Sequence, residues 1–283
     1  MNKIGFTDLH NTLTVITGGA GVIGKAIATG LASVGGRTII LDINLDAARA
    51  AAAEIQALSG SFSMGVQADV LDKSSLLAAR DIIHKEAGMI RFLINGAGGN
   101  APGGTTKVEE ILPGQISDLS SSFFGLEMEG LERIFDLNYF GTLLPTMVFA
   151  TDMVEAGTGA ILNISSLSAF HPLTKVPVYS SAKAAINNFT EWLAVHMAKT
   201  GVRVNAIAPG FFLTQQNRFL LIDEQTGNLL PRGEKIMAGT PMGRFGEPEE
   251  LSGAAAFLLS GMARYITGTV MLIDGGYNAY SGV

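Results

Sequence analysis

Short apolar runs recur along the chain between longer amphipathic stretches. The runs fall at 13–17, 38–42, 62–68, 92–95, 160–165, 202–208 and 270–273, each bounded by polar residues or glycine. Apolar runs of this length that do not alternate with polar residues are expected of strands buried on both faces. Between them lie 22–34, 45–58, 73–87, 130–155, 178–200 and 248–261, long enough for helices and most of them ending near glycine. Strand alternating with helix predicts βαβ units, and hence an α/β, Rossmann-like, doubly wound sheet of seven parallel strands with helices on both faces. Two stretches break the alternation, 98–128, rich in Gly, Ser and Pro, and 211–247, with charged residues around Pro231 and Pro241. Stretches of that length inside a compact fold are expected to be binding loops, and 211–247 is read as a substrate loop within one domain covering 1–283.

Composition narrows the function classes. With 47% hydrophobic and 16% charged residues the chain is globular, and its 35 glycines follow no collagen period. The net charge of −6 and the lack of a Lys/Arg stripe exclude nucleic acid as the expected partner. There is no cysteine, and His10, His84, His171 and His196 show no HxxxH or HExxH spacing, so no metal centre is expected. No apolar run reaches the ~18 residues of a membrane span and none near the start resembles a signal peptide. The expectation is a cytoplasmic protein without a membrane partner.

The first strand runs into Thr17-Gly18-Gly19-Ala20-Gly21-Val22-Ile23-Gly24 and then a helix. Glycines there let the backbone turn tightly and bring N–H groups and a helix N-terminus against a pyrophosphate, although a plain strand-to-helix turn has the same composition. The second strand ends in Asp42, 18 residues past Gly24. A carboxylate there accepts both adenosine-ribose hydroxyls and repels a 2′-phosphate, which favours NAD over NADP; the alternative is a turn or cap residue, with Asp46 also placed to cap the next helix. Lys25 reads as a solvated helix residue or a phosphate contact.

Further along, Tyr179 and Lys183 stand four apart at the start of a helix, on one face, so that an ammonium there lowers a phenol's pKa from its usual ~10. Ser166 ends a predicted strand 13 residues earlier, and Asn138 lies in the preceding long helix. Read singly, Asn138 is a buried amide, Ser166 a strand-end cap and Tyr179 a core residue. Trp192 and Phe189 read as core or subunit interface, His171 as a loop residue or a substrate contact, and Glu249-Glu250 as first-turn helix charge.

Together these motifs resemble the short-chain dehydrogenase/reductase family, from about Leu13 to Tyr277. The family's glycine motif matches Thr17 to Gly24, with Val22 standing where glycine is usual. Its Asp-Val matches Asp69-Val70, its Asn-x-Ala-Gly matches Asn95-Gly96-Ala97-Gly98, and its Pro-Gly segment matches Pro209-Gly210 followed by Phe212 and Thr214. The closing Asp-Gly-Gly is Asp274-Gly275-Gly276.

The resemblance implies a catalytic set of Asn138, Ser166, Tyr179 and Lys183. It also implies an NAD site drawn from Thr17, Gly18, Gly21, Val22, Ile23, Gly24, Asp42, Asp69, Val70, Asn95, Ala97, Gly98, Tyr179, Lys183, Pro209, Gly210, Phe212 and Thr214. A homotetramer follows from the same resemblance. Within the family, the segments around Asn100, Pro172 to Lys175, Ala208 to Thr214 and Thr240 to Pro248, and the Tyr280-Ser281-Gly282-Val283 end, are similar to the bacterial D-mannonate oxidoreductase (fructuronate reductase) group. That implies a sugar-acid substrate met by Asn100, Lys175, Gln215, Arg218 and Arg244. Other polyols, gluconate, a ketoacyl substrate and a non-catalytic nucleotide sensor on the same fold are the alternatives.

Overall fold

The computed structural model describes residues 5–115, 117–214 and 218–282. Its seven strands are β1 (Leu13–Thr17), β2 (Arg37–Asp42), β3 (Ser63–Gln67), β4 (Phe92–Asn95), β5 (Gly159–Ile164), β6 (Val202–Pro209) and β7 (Val270–Ile273). They form one all-parallel sheet in the order β3-β2-β1-β4-β5-β6-β7. The order reverses between β1 and β4, and in such sheets the crevice beyond the C-terminal strand ends at that point is where ligands bind.

Helices α1 (Val22–Ser33), α2 (Leu45–Ser59) and α3 (Lys73–Glu86) follow the first three strands. Three more, α4 (Met128–Phe135), α5 (Gly141–Glu155) and α6 (Pro177–Met197), serve the second half, with α9 (Leu251–Leu259) before β7. Period-two alternation sorts strand side chains into two cores: Ile16, Ile40 and Ile94 face the layer of α1, α2 and α9, while Val15, Ile39 and Leu93 face α3, α5 and α6. Both sides of the central strands are therefore dry, which is why those strands read as uninterrupted apolar runs.

Local chemistry sets the ends. Asn44, not Asp46, caps α2, its side chain accepting from Ala47 N–H at 3.1 Å, and Gly60 closes that helix in the left-handed conformation at φ 71°. Asp72 caps α3 in the same way. The stretch read as one helix over 130–155 is α4 and α5 joined by a π-turn at Asp136–Phe140, and this turn carries Asn138. Among its described residues the 211–247 stretch contains two short helices, α7 (Arg218–Leu221) and α8 (Pro231–Ala238). Pro231 opens α8 with its preset φ, but four and eight residues are too few to display a helical period in sequence. No helix among the described residues is long and apolar enough to cross a membrane.

Candidate active site

The glycine-rich turn brings three backbone segments into contact at the C-terminal ends of β1 and β4. A Cβ on Gly18, which sits at φ 61°, would lie 2.8 Å from Ala97 Cα, and one on Gly24 would lie 2.6 Å from the Gly18 carbonyl. Thr17 fastens the other side, its hydroxyl accepting from the N–H groups of Gly96 at 3.1 Å and Ala97 at 3.2 Å. Gly21 is the N-cap of α1 in an extended conformation and no side chain caps the helix. Uncapped N–H groups at the positive end of a helix, reached over side-chain-free backbone, are a cradle of the kind a pyrophosphate fits. Val22 lies at the first helical position and lines a groove on the outer side of α1 with Ala20, Lys25, Leu213 and Thr214. Lys25 pairs with Glu54 of α2, the solvated-helix reading.

Around this turn stand the other residues expected to meet a dinucleotide. Asp42, at the end of β2, accepts from Ala20 N–H at 3.3 Å and Asn44 N–H at 3.1 Å, which fixes its carboxylate beside the glycine turn. Asp69 accepts from Leu71 N–H at 2.8 Å and so shapes the loop carrying Val70, which packs near Gly141. Pro209 ends β6, Gly210 lies so close to Asp274 that a Cβ would approach its Cα to 2.7 Å, and buried Phe212 packs its ring on Gly246. Thr214 lines the same outer groove as Val22.

Four side chains meet at the neighbouring strand ends. Ser166 follows β5, accepts from Ser168 N–H at 3.2 Å, and shares a hydrogen bond with Tyr179. Lys183, one turn after Tyr179 on α6, is buried and donates to the Ile164 carbonyl at 2.8 Å. Asn138 donates to the carbonyls of Gly99 at 2.7 Å and Ile134 at 2.8 Å, and accepts from Gly99 N–H at 3.2 Å. Gly98 closes the group, since a Cβ there would lie 2.7 Å from Asn138 Oδ1 and 3.3 Å from Lys183 Nζ.

The electrostatics differ in one respect from the expectation drawn from spacing. Burial pushes the Tyr179 phenol above its ordinary value, and the Ser166 hydrogen bond, pulling down, does not reverse this. Lys183 points its ammonium at Ile164 rather than at the phenol, 5.6 Å from the centroid of the Tyr179 ring. Burial also pulls Lys183 down to about 8.

Beneath the site runs a buried polar chain that the sequence motifs only partly announce. Asn95 donates to Thr146 at 2.9 Å and to Asn163 at 2.8 Å, and Asn163 donates to Thr190 of α6 at 2.9 Å. Asn163 is paired in register with Asn95 across β4 and β5. An asparagine inside the apolar run of β5 was the signal for this chain, because a buried amide must find partners.

The loop residues divide. Asn100 and Arg218 are exposed, and Lys175 is half-buried in the segment leading to Tyr179. His171 is exposed on that segment. Arg244 is committed elsewhere: both terminal nitrogens meet Glu250, each at 2.7 Å, and it lines a cavity of about 420 Å³ beside Phe211, Thr240 and Asp274 that none of the four clustered side chains borders. Gln215 and Asn217 lie outside the described residues. Trp192 is 57% exposed, so the core reading of this residue gives way to a surface one. It stacks on Phe189 and His196 at the end of an aromatic row that begins with Tyr139 and Phe140.

Comparison with known proteins agrees with this architecture. The family profile described as enoyl-(acyl carrier protein) reductase matches residues 18–278. An uncharacterized oxidoreductase of Haemophilus influenzae is 45% identical over 100% of this chain and 99% of its own length. The uncharacterized oxidoreductase UxuB of Bacillus subtilis is 46% identical over 97% and 99%. A solved structure from Haemophilus influenzae, a candidate D-mannonate oxidoreductase with bound NAD, superimposes with a TM-score of 0.92 at 46% identity, covering 97% of this chain and 98% of that one. With the sheet order, the glycine turn and the clustered Asn138, Ser166, Tyr179 and Lys183 in place, the chain belongs to the short-chain dehydrogenase/reductase family and is an oxidoreductase.

Proposed function

We propose that the protein is an NAD-dependent oxidoreductase of sugar acids, interconverting D-fructuronate and D-mannonate. The observation that carries this reading is the hydrogen-bonded pair of Tyr179 and Ser166 beside the buried Lys183, at the same sheet edge as the uncapped first turn of α1. Gly18, Gly21, Val22, Ile23 and Gly24, with Thr17, would hold the pyrophosphate; Asp42 would hold the adenosine ribose, and Asp69 and Val70 would border the adenine. Ala97, Gly98, Pro209, Gly210, Phe212 and Thr214 would complete the cofactor site, with Asn95 supporting it from the buried polar chain beneath. The nicotinamide, when bound, supplies or accepts the hydride.

Tyr179 handles the proton at the substrate oxygen, as acid in reduction and base in oxidation. Ser166 donates a hydrogen bond to the same oxygen and stabilises its developing charge. Lys183, held in place by the Ile164 carbonyl, would order the nicotinamide ribose and keeps positive charge near the phenol. The Asn138 side chain is already engaged with Gly99 and Ile134, so anchoring a relay water falls to its main-chain carbonyl, which also accepts from Thr142 at 3.1 Å.

The sugar-acid assignment is supported by the name of the Haemophilus structure and by the cations of the segment before Tyr179 and of the 211–247 stretch. In this reading Lys175 or Arg218 would meet the carboxylate, and Asn100 and Gln215, as amides, would suit hydroxyls, whereas Glu250 already neutralises Arg244. The aromatic row through Phe189, Trp192 and His196, with Met147 exposed on α5 and Val195 on α6, supports a homotetramer built through those helices. A chain without cysteine suits the reducing cytoplasm.

The test is a kinetic panel of hexuronates, aldonates, neutral ketoses and polyols with NADH, NAD⁺, NADPH and NADP⁺. The expected result is the highest kcat/KM for D-fructuronate and D-mannonate with NAD(H). Equal efficiency on neutral ketoses removes the uronate assignment, and no turnover on any member favours the nucleotide sensor.

A further inference from the structure

The first long irregular stretch is tied both to the second and to the segment that leads to Tyr179. The first leaves β4 and is clasped at Gly99 by Asn138. Its base is closed by Glu127 N–H donating to the Gly103 carbonyl at 2.9 Å, and there it presses on α4 so closely that a Cβ on Gly130 would lie 2.5 Å from Gly103. Next, Thr106 N–H donates to the Lys175 carbonyl at 2.9 Å. Three residues on, Glu109 meets Lys235 of α8 at 2.7 Å, joining positions 126 apart in sequence.

Lys175 is held at φ 74°, a conformation that side-chain-bearing residues rarely adopt, and it stands four residues before Tyr179. Such a residue keeps its place only if its surroundings over-determine it, and the Thr106 hydrogen bond is one such restraint. Charge gathers at the same place from three segments. The Glu109 carboxyl is held below its usual range by Lys235 first, and Lys175 and Arg232 pull in the same direction.

We infer that Glu109 and Lys235 form a latch that holds α8 against the Thr106–Lys175 junction and thereby sets where Lys175 presents its ammonium to an acid-bearing substrate. The inference rests on the sugar-acid reading above. Glu109 and Lys235 are positioning residues in this scheme, acting on substrate through Lys175. A partly exposed ion pair contributes little to global folding, so losing it loosens α8 and the 105–110 segment while the sheet stays intact.

Three variants test the latch: Glu109→Gln, Lys235→Met and the double charge swap Glu109→Lys with Lys235→Glu. Each is assayed with NADH on D-fructuronate and on a neutral ketose, and amide hydrogen exchange over 105–110 and 231–238 is followed without substrate. The single variants change local charge in opposite directions, so a pure field effect moves KM for the uronate down in Glu109→Gln and up in Lys235→Met. The latch moves both upward, by roughly three- to fivefold as expected for a partly exposed pair, with kcat within about twofold and the neutral ketose unaffected. Exchange quickens in both segments, and the charge swap restores KM and exchange together. Opposite shifts of KM, unchanged exchange in the single variants, or equal effects on uronate and neutral ketose each overturn the latch. Failure of the sugar-acid reading appears separately, as wild-type protein indifferent to the carboxylate, and takes the substrate half of the inference with it.

Discussion

Lys183 is bonded to Ile164 at 2.8 Å, a buried ammonium held by the carbonyl of the last residue of β5. A main-chain carbonyl replaces only part of the water that the ammonium gives up, and burial pulls its pKa down to about 8. The folded value lies below the unfolded one of about 10.4. Below pH 8 both states hold the proton and this group adds no pH dependence. Between about pH 8 and pH 10.4 the unfolded chain keeps a proton that the folded chain has released, so stability from this group rises with pH, by about 3 kcal/mol in all. Urea unfolding of wild type and Lys183→Met across pH 7.5–10.5 is therefore expected to show a difference that grows in favour of wild type. A difference that stays constant with pH refutes the burial argument.

Tyr179→Phe is expected to bind NADH almost as wild type does and to lose at least ~10²-fold in turnover, the usual contribution of a general acid. Because burial raises the phenol, it stays protonated through neutral pH, the form that ketone reduction needs. Alcohol oxidation needs the phenolate, so its kcat/KM should climb with pH on the alkaline side in wild type and lose that limb in the variant. Turnover near wild type in purified Tyr179→Phe removes the residue from the mechanism.

Much of this architecture was legible because burial on both faces forces continuous apolar runs. The ends of β1, β4 and β7 match the sequence reading, and the remaining strands shift by one residue at one end or both. The Tyr179–Lys183 pair was legible from its four-residue spacing on one helix, whereas Ser166 and Asn138 joined it through the family resemblance. What escaped were features set by tertiary contact. The π-turn that buries Asn138 breaks no apolar period, and α7 and α8 are too short to have one. The pairing of Arg244 with Glu250, six residues on, depends on how the chain bends at Gly246, whose missing Cβ admits the Phe212 ring. The direction of the Tyr179 shift also needed the fold, because spacing reveals the nearby charge but not the depth of burial.

Asp42 is followed by Ile43, Asn44 and Leu45, so no cation on that strand end is placed to receive a 2′-phosphate. Its carboxylate is fixed by the N–H groups of Ala20 and Asn44 beside the glycine turn. Wild type should prefer NAD(H), and Asp42→Ala should narrow the preference mainly through KM for NADP(H). Equal kcat/KM for the two cofactors in wild type contradicts the assignment.

Trp192 and Val195 expose 57% and 80% of their surface on one stretch of α6. Large apolar side chains grouped on a surface helix are expected to be covered by another copy of the chain. On the proposed homotetramer, Trp192→Glu should give a smaller species in analytical ultracentrifugation while leaving the far-UV circular dichroism unchanged. A wild type that sediments as a monomer overturns the oligomer reading.

The choice of carboxylate anchor separates Lys175 from Arg244. Arg244 uses both terminal nitrogens on Glu250, and Glu250 also accepts from Glu247 N–H at 2.8 Å, so the guanidinium is part of the structure at the start of the segment before α9. Lys175 stands four residues before Tyr179 and leans on Glu109 only through a field in which Lys235 takes the direct contact. Its ammonium is thus the one more readily drawn to an incoming anion, and a carboxylate left without that partner loses a charge-assisted contact. Lys175→Met should lower kcat/KM for D-fructuronate by about 2–4 kcal/mol and change a neutral ketose little. Arg244→Met should remain within about threefold of wild type on both substrates, because a rim charge already paired contributes little to binding. The reverse pattern, a large loss in Arg244→Met and none in Lys175→Met, moves the anchor to the far side of the 211–247 loop.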